Sequence, residues 1–163
     1  MMKNFLAYLT IIIFAALQST VIRSTEVWIT IPNLILVFAV CYSMHAEPVK
    51  ATALSLVCGL VFDLMSAHHL GLGALLLMGL GLLLSVVSSD YIHSNAVTVL
   101  VSVVLATFLF EGVYTFFIYF MFDKVSVGHI AAVVAKEAVY NLIVACAVMW
   151  WAKYLAEYEV RSF

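Results

Sequence analysis

Few side chains in this chain can do chemistry, and most of them stand where polar groups are expensive. Asp63 nearly closes an otherwise apolar run from Ala53 to Met65, and Glu111 lies near the middle of another. Lys136, Glu137 and Asn141 fall within a third, and Asn33 follows Pro32 at the start of a fourth. Ionisable groups in apolar runs persist where they face protein or water, so each of these marks a candidate site. Asp63 is followed by Ser66-Ala67-His68-His69 and then by Gly71 and Gly73. A carboxylate beside two histidines could suggest a metal. Zinc, however, takes about four ligands at defined spacings, and adjacent histidines in a turn rarely point the same way. Neither a metal nor a cofactor is expected.

Glu111 poses a different question. Thr107, Tyr114 and Thr115 share its helical face, and Glu137, Tyr140 and Asn141 share a face of the next run. Counted from the same membrane surface, Asn141 reaches nearly the depth of Glu111. An intramembrane polar cluster of Glu111, Lys136 and Asn141 is therefore expected. Proton or ion transport is one use of such a cluster, and hydrogen bonding between helices is another. No second deeply placed carboxylate is apparent to form a relay, which favours hydrogen bonding.

Motifs that would carry other activities are missing. The sequence has no Gly-x-Ser-x-Gly, His-Glu-x-x-His or phosphate-binding Gly-x-x-x-x-Gly-Lys, nor paired aspartates at membrane-protease spacing. The chain is not expected to be an enzyme. Cys41, Cys58 and Cys146 lie in apolar runs without Cys-x-x-Cys spacing and read as packing residues. A net charge of −2 and the lack of a basic cluster argue against nucleic acid as a partner.

The elements that position these residues follow from composition. Of 163 residues, 66% are hydrophobic and 10% charged, with mean hydropathy +1.17. Soluble domains run at roughly 45–50% apolar and 25% charged, so this chain reads as an integral membrane protein. Six runs approach the ~20 residues that a spanning helix needs: Phe5–Ile22, Ile29–Met44, Val49–Met65, Leu70–Val87, Ala96–Phe122 and Ile130–Leu155. A β-barrel would alternate polar and apolar residues, and these runs do not. The expected fold is all-α, one domain of six transmembrane helices over residues 1–163.

The breaks between runs are too short to hold a soluble domain. Pro32 and Pro48 fall near helix starts, where the missing N–H is tolerated. The first run follows Lys3 without an Ala-x-Ala-like cleavage site, so it reads as a retained helix and not a signal peptide. With six helices, Lys3, Lys50, Lys153 and Arg161 share one side against Arg23 and Lys124, a weak bias that puts both termini in the cytoplasm. Trp28, Trp150 and Trp151 lie near helix ends as interfacial anchors, and Gln18 is expected to face protein.

Small residues add a packing pattern. Ala51, Ser55, Gly59 and Asp63 recur every four residues and form one ridge. Such a ridge lets two transmembrane backbones approach closely and would deliver the carboxylate to a helix junction. Gly71, Gly73, Gly79 and Gly81 thin the following helix in two places.

Taken together, Pro32-Asn33-Leu34, Gly59-Leu-Val-Phe-Asp63-Leu, Leu70-Gly71-x-Gly73-Ala74-Leu and the later Asn141 resemble the MreD family of bacterial rod shape-determining membrane proteins. The resemblance covers nearly the whole chain in length and helix count. It implies a non-enzymatic inner-membrane component of the cell-elongation (rod) complex, active in rod cell shape and lateral peptidoglycan synthesis. The partners it implies are an MreC-like scaffold, an MreB-like filament, and RodA with a penicillin-binding transpeptidase, in contact with membrane lipid. It also implies similarity in fold to the six-helix substrate-binding subunits of energy-coupling-factor vitamin transporters. The motif positions it carries over are Pro32, Asn33, Gly59, Asp63, Gly71 and Gly73, as partner-binding or structural residues. A transporter substrate-binding subunit is the alternative, with Asp63, His68 and His69 lining a cavity. Against it, helix 1 lacks the Ala-x-x-x-Ala pair of that family: Ala15 and Ala16 precede Ser19 and Thr20.

Overall fold

The structure is a computed structural model that describes residues 2–24, 32–66, 71–90, 95–122 and 127–157, with side chains over 5–20, 32–66, 71–89, 95–117 and 131–156. Within these bounds the chain forms six α-helices: α1 (Met2–Ser24), α2 (Leu34–Ser43), α3 (Pro48–Ser66), α4 (Leu72–Asp90), α5 (Ala96–Phe122) and α6 (Val127–Glu157). No strand occurs among the described residues. Four helices, α3 to α6, are long and apolar enough to cross a membrane. Of the six expected spans, these four meet that length among the described residues. The apolar stretch described in α1 runs only from Phe5 to Thr20, and α2 has 10 residues where a run from Ile29 was expected. Residues 29–31 lie outside the described set, as do Trp28, His68 and His69.

Helix α2 is the centre of the molecule. It touches every other helix, and Ile35 through Ser43 are all buried. An element apolar around its whole circumference is stable only when surrounded, and this one is. At ~1.5 Å per residue its ten residues rise ~15 Å, about half the hydrocarbon thickness. The outward surface is apolar as well: Phe5, Leu64, Leu75, Val97, Phe116 and Ile143 are all exposed. An apolar core beneath an apolar surface is what lipid as solvent demands.

The tightest pairing is the α3–α4 hairpin, and its cause is the ridge. Ala51, Ser55, Gly59 and Asp63 are buried along α3. A β-carbon on Gly59 would collide with the α4 backbone, at 2.6 Å from the Gly73 carbonyl oxygen and closer still to the Ala74 Cα. One on Gly81 would come within 2.6 Å of Ser55 Cβ. Gly79 differs, being exposed with open space around it.

Gly59→Val is therefore expected to lower stability by about 3 kcal/mol, the upper end for overpacking, because backbone cannot move aside as a side chain can. Gly79→Val should cost nothing beyond a small helix-propensity effect. Thermal unfolding of both variants in detergent checks this. Equal midpoints for the two would refute the seam.

Serines of α4 fasten the α2–α3 turn from the other side. Ser85 Oγ donates to the Ala46 carbonyl at 2.6 Å and Ser88 Oγ to the Met44 carbonyl at 2.7 Å, while Ser43 and Ser55 share a bond at 3.1 Å. The Ser85-x-x-Ser88 spacing puts both hydroxyls on one helical face, a signal the sequence reading did not use. Trp151 Nε1 donates to Thr10 Oγ1 at 3.1 Å and ties α6 to α1. Gln18 is buried as expected, although its side-chain oxygen has no hydrogen-bond partner among the described residues. Cys41 and Cys58 are buried packing residues, whereas Cys146 faces outward. It therefore does not pack the core, contrary to expectation.

Candidate functional site

Two polar sites stand near one end of the bundle. The first is the Asp63 carboxylate, only 1% exposed. It accepts three backbone N–H groups across the α3–α4 turn: Gly71 N to Oδ2 at 2.8 Å, Gly73 N to Oδ1 at 2.9 Å and Ala74 N to Oδ2 at 3.0 Å. The first N–H groups of any α-helix lack intrahelical partners, and a capping side chain commonly supplies one acceptor. Here the preceding helix supplies two oxygens to the start of α4. The helix dipole favours a negative charge at that place.

Each glycine has a separate reason. Gly71 has φ 111°, a backbone conformation that side chains with a β-carbon disfavour. A β-carbon on Gly73 would strike Asp63 Oδ1 and lie 2.9 Å from Phe62 Cδ1. Gly59, Asp63, Gly71 and Gly73 therefore form one device, a carboxylate clamp on a close helix crossing.

The second site gathers polar residues of α2, α5 and α6. Asn33 caps α2, its Oδ1 accepting from Leu36 N at 3.1 Å. Its own backbone N–H donates to Asn141 Oδ1 at 2.7 Å, and its Nδ2 donates to Glu111 Oε1 at 3.3 Å. Asn141, fully buried, passes the network on through Nδ2 to Thr107 Oγ1 at 3.0 Å, and Thr107 in turn donates to the Val103 carbonyl at 2.8 Å. The Glu137 side chain stands beside both Glu111 and Asn141.

The cause of this node is the position of the α2 start. Asn33 lies beside Glu111, well inside α5, so α2 begins within the bundle and not at its surface. Free N–H groups at that depth find no water and must be satisfied by protein. Pro32 brings no N–H that needs a partner, and Asn33 and Asn141 supply acceptors for two more.

The expected cluster is thus altered in membership. Glu111 and Asn141 belong to one network, but through Asn33 and not by direct contact. Lys136 is exposed and takes no part. Glu137 and Asn141, four residues apart, share a face, whereas Lys136 lies ~140° around the helix from Asn141. A second buried carboxylate does exist: Glu137 is 9% exposed. The sequence reading put Glu137 and Asn141 on one face, but did not connect Asn33 with them.

An edge-to-face aromatic group joins the two sites. Phe62, next to Asp63, packs on Phe110 at 5.1 Å and on Tyr114 at 5.4 Å between ring centroids, one turn from Glu111. Among the described residues, no group of three or more His, Cys, Asp or Glu side chains could hold a metal ion.

Fold and sites define a helical membrane protein whose buried polar groups are largely engaged in joining helices. Over residues 2–158 the chain matches the family described as rod shape-determining protein MreD, and it belongs to that family. No curated protein and no solved structure matches it.

Proposed function

We propose that this protein is a non-enzymatic scaffold of the cell-elongation complex, holding an MreC-like partner in the inner membrane and so contributing to lateral peptidoglycan synthesis. The observation that carries the reading is the Asp63 clamp. Both carboxylate oxygens of the buried Asp63 are used by backbone N–H groups of the same chain, an arrangement suited to holding a rigid surface. In this reading residues 1–163 act as one unit with six membrane passes and both termini cytoplasmic, built like the substrate-binding subunits of energy-coupling-factor transporters. An MreB-like filament and RodA with its transpeptidase are then reached through the same assembly.

The test is affinity purification of the tagged full chain from native membranes of rod-shaped cells. An MreC-like protein should co-purify, and depletion of the chain should round the cells. A chain that purifies without it, from cells that stay rod-shaped on depletion, would remove the scaffold reading. A small molecule retained through purification and detected by mass spectrometry would favour a transporter subunit instead.

A further inference from the structure

Lys136 is a charge that neither polar site uses. It lies about five residues, ~7.5 Å of helix, inside the apolar span Ala131–Ala156. Glu137, next in sequence, stands beside Glu111, which is itself about six residues, ~9 Å, inside the apolar span of α5. Both helices thus put Lys136 within the apolar band. It is nevertheless exposed, and among the described residues it has neither an ion pair nor a hydrogen bond. Charged side chains in spans almost always face the bundle interior or a water-filled cavity and find a partner. An outward cation at this depth needs an anion from outside the bundle.

The face that carries it has the pattern of a helix-packing surface. Lys136, Tyr140, Ile143, Ala147, Trp150 and Tyr154 follow one another at alternating steps of four and three, the spacing by which two helices pair in a left-handed supercoil. All six are exposed, Ile143 to 64%. The opposite face of α6 is already packed on α5 and α2. Tyr140, one turn from Lys136, adds a hydroxyl that can donate to the same acceptor.

The charge decides what fits this face. A second copy does not, because a two-fold axis along the membrane normal would bring two Lys136 side chains together at one depth. The carboxyls of Asp63, Glu111 and Glu137 are all engaged within the bundle. A wholly apolar helix would bury the cation without a counter-charge. We infer that this face of α6 receives a membrane-spanning helix of a partner protein, and that an Asp or Glu of that helix pairs with Lys136. The inference rests on the scaffold reading in taking the helix to belong to the protein that this chain holds.

Photo-crosslinking in native membranes tests this, with benzoylphenylalanine placed at Ile143 of the tagged full chain. The control position is Leu75, outward on α4, a helix that does not touch α6. An adduct should form at Ile143 and not at Leu75, with a membrane-spanning segment of the co-purifying partner that contains Asp or Glu. Lys136→Glu should lower its yield at least about tenfold, since like charges across an interface cost several kcal/mol. Lys136→Arg should keep the yield, and changing the partner's acid to Lys should restore it in Lys136→Glu. If Lys136→Glu fails to fold, Lys136→Met decides, with a loss expected there too. A partner that co-purifies but gives no adduct at Ile143 overturns this surface and leaves the scaffold reading standing. Adducts with lipid alone or with a second copy overturn it too. Glu26 and Asp123 lie outside the described residues, and rescue of Lys136→Glu by Glu26→Lys or Asp123→Lys would assign the cation an internal partner and end the proposal. An adduct with an acidic helix of a protein foreign to cell elongation, showing the same charge-swap rescue, would uphold the surface and refute the scaffold reading.

Discussion

Asp63→Ala is expected to unfold about 10 °C below the parent chain in detergent and to accumulate poorly in cells. The substitution orphans three N–H groups, two of them on the buried residues Gly73 and Ala74. A buried donor left without an acceptor costs about 1–3 kcal/mol. Side-chain bonds within membranes are often weaker, averaging ~0.6 kcal/mol, because the alternative states also find partners. Backbone N–H groups at a helix start have fewer alternatives, so about 3 kcal/mol overall is the expected cost. At ~2–4 °C per kcal/mol for a chain of this size, the midpoint falls by about 6–12 °C.

Asp63→Asn separates geometry from charge. With its carbonyl at the Oδ2 position, Asn can still accept from Gly71 and Ala74, but its amide then faces the Gly73 N–H. It should fall between parent and alanine. Co-purification of the partner should follow the same order, because the clamp acts by fixing the α3–α4 hairpin. An alanine variant as stable as the parent would show that water replaces the carboxylate, and the clamp would lose its role. Normal stability with lost partner binding would make Asp63 a direct partner contact.

Parts of this molecule were legible in sequence for specific reasons. The period-four ridge on α3 pointed to a packing seam, because small residues at that spacing have few other uses in a span. The same spacing placed Asp63 at a helix junction. Its acceptors could not be assigned, since backbone N–H groups carry no sequence signature and Gly71 and Gly73 offer only absence. Lys136 was misplaced for a different reason. Adjacency to Glu137 suggested a shared site, but neighbours on a helix point ~100° apart. Nor could hydropathy reveal that α2 starts within the bundle. An apolar run reads the same whether it crosses the membrane or begins inside the protein.

The interior start of α2 leads to the second large effect, at Asn141. Its side chain satisfies the Asn33 N–H and is itself satisfied by Thr107, all at zero or near-zero exposure. Asn141→Leu fits roughly by volume but leaves the Asn33 N–H facing hydrocarbon, at a cost of about 2 kcal/mol. It should loosen α2 against α6, read as faster hydrogen exchange at Leu36 and Val37 together with a lower unfolding midpoint. Glu111→Gln should behave differently, since its side-chain oxygen can still accept from Asn33 Nδ2. Near-parental stability and activity are expected there, whereas Glu111→Ala should lose both in part. Parental behaviour of Asn141→Leu and Glu111→Ala together would mean that α2 finds other partners at its start, and the node would not hold the helices. Loss of activity in a well-folded Glu111→Gln would point instead to a task for the carboxyl proton, which interhelical bonding does not require.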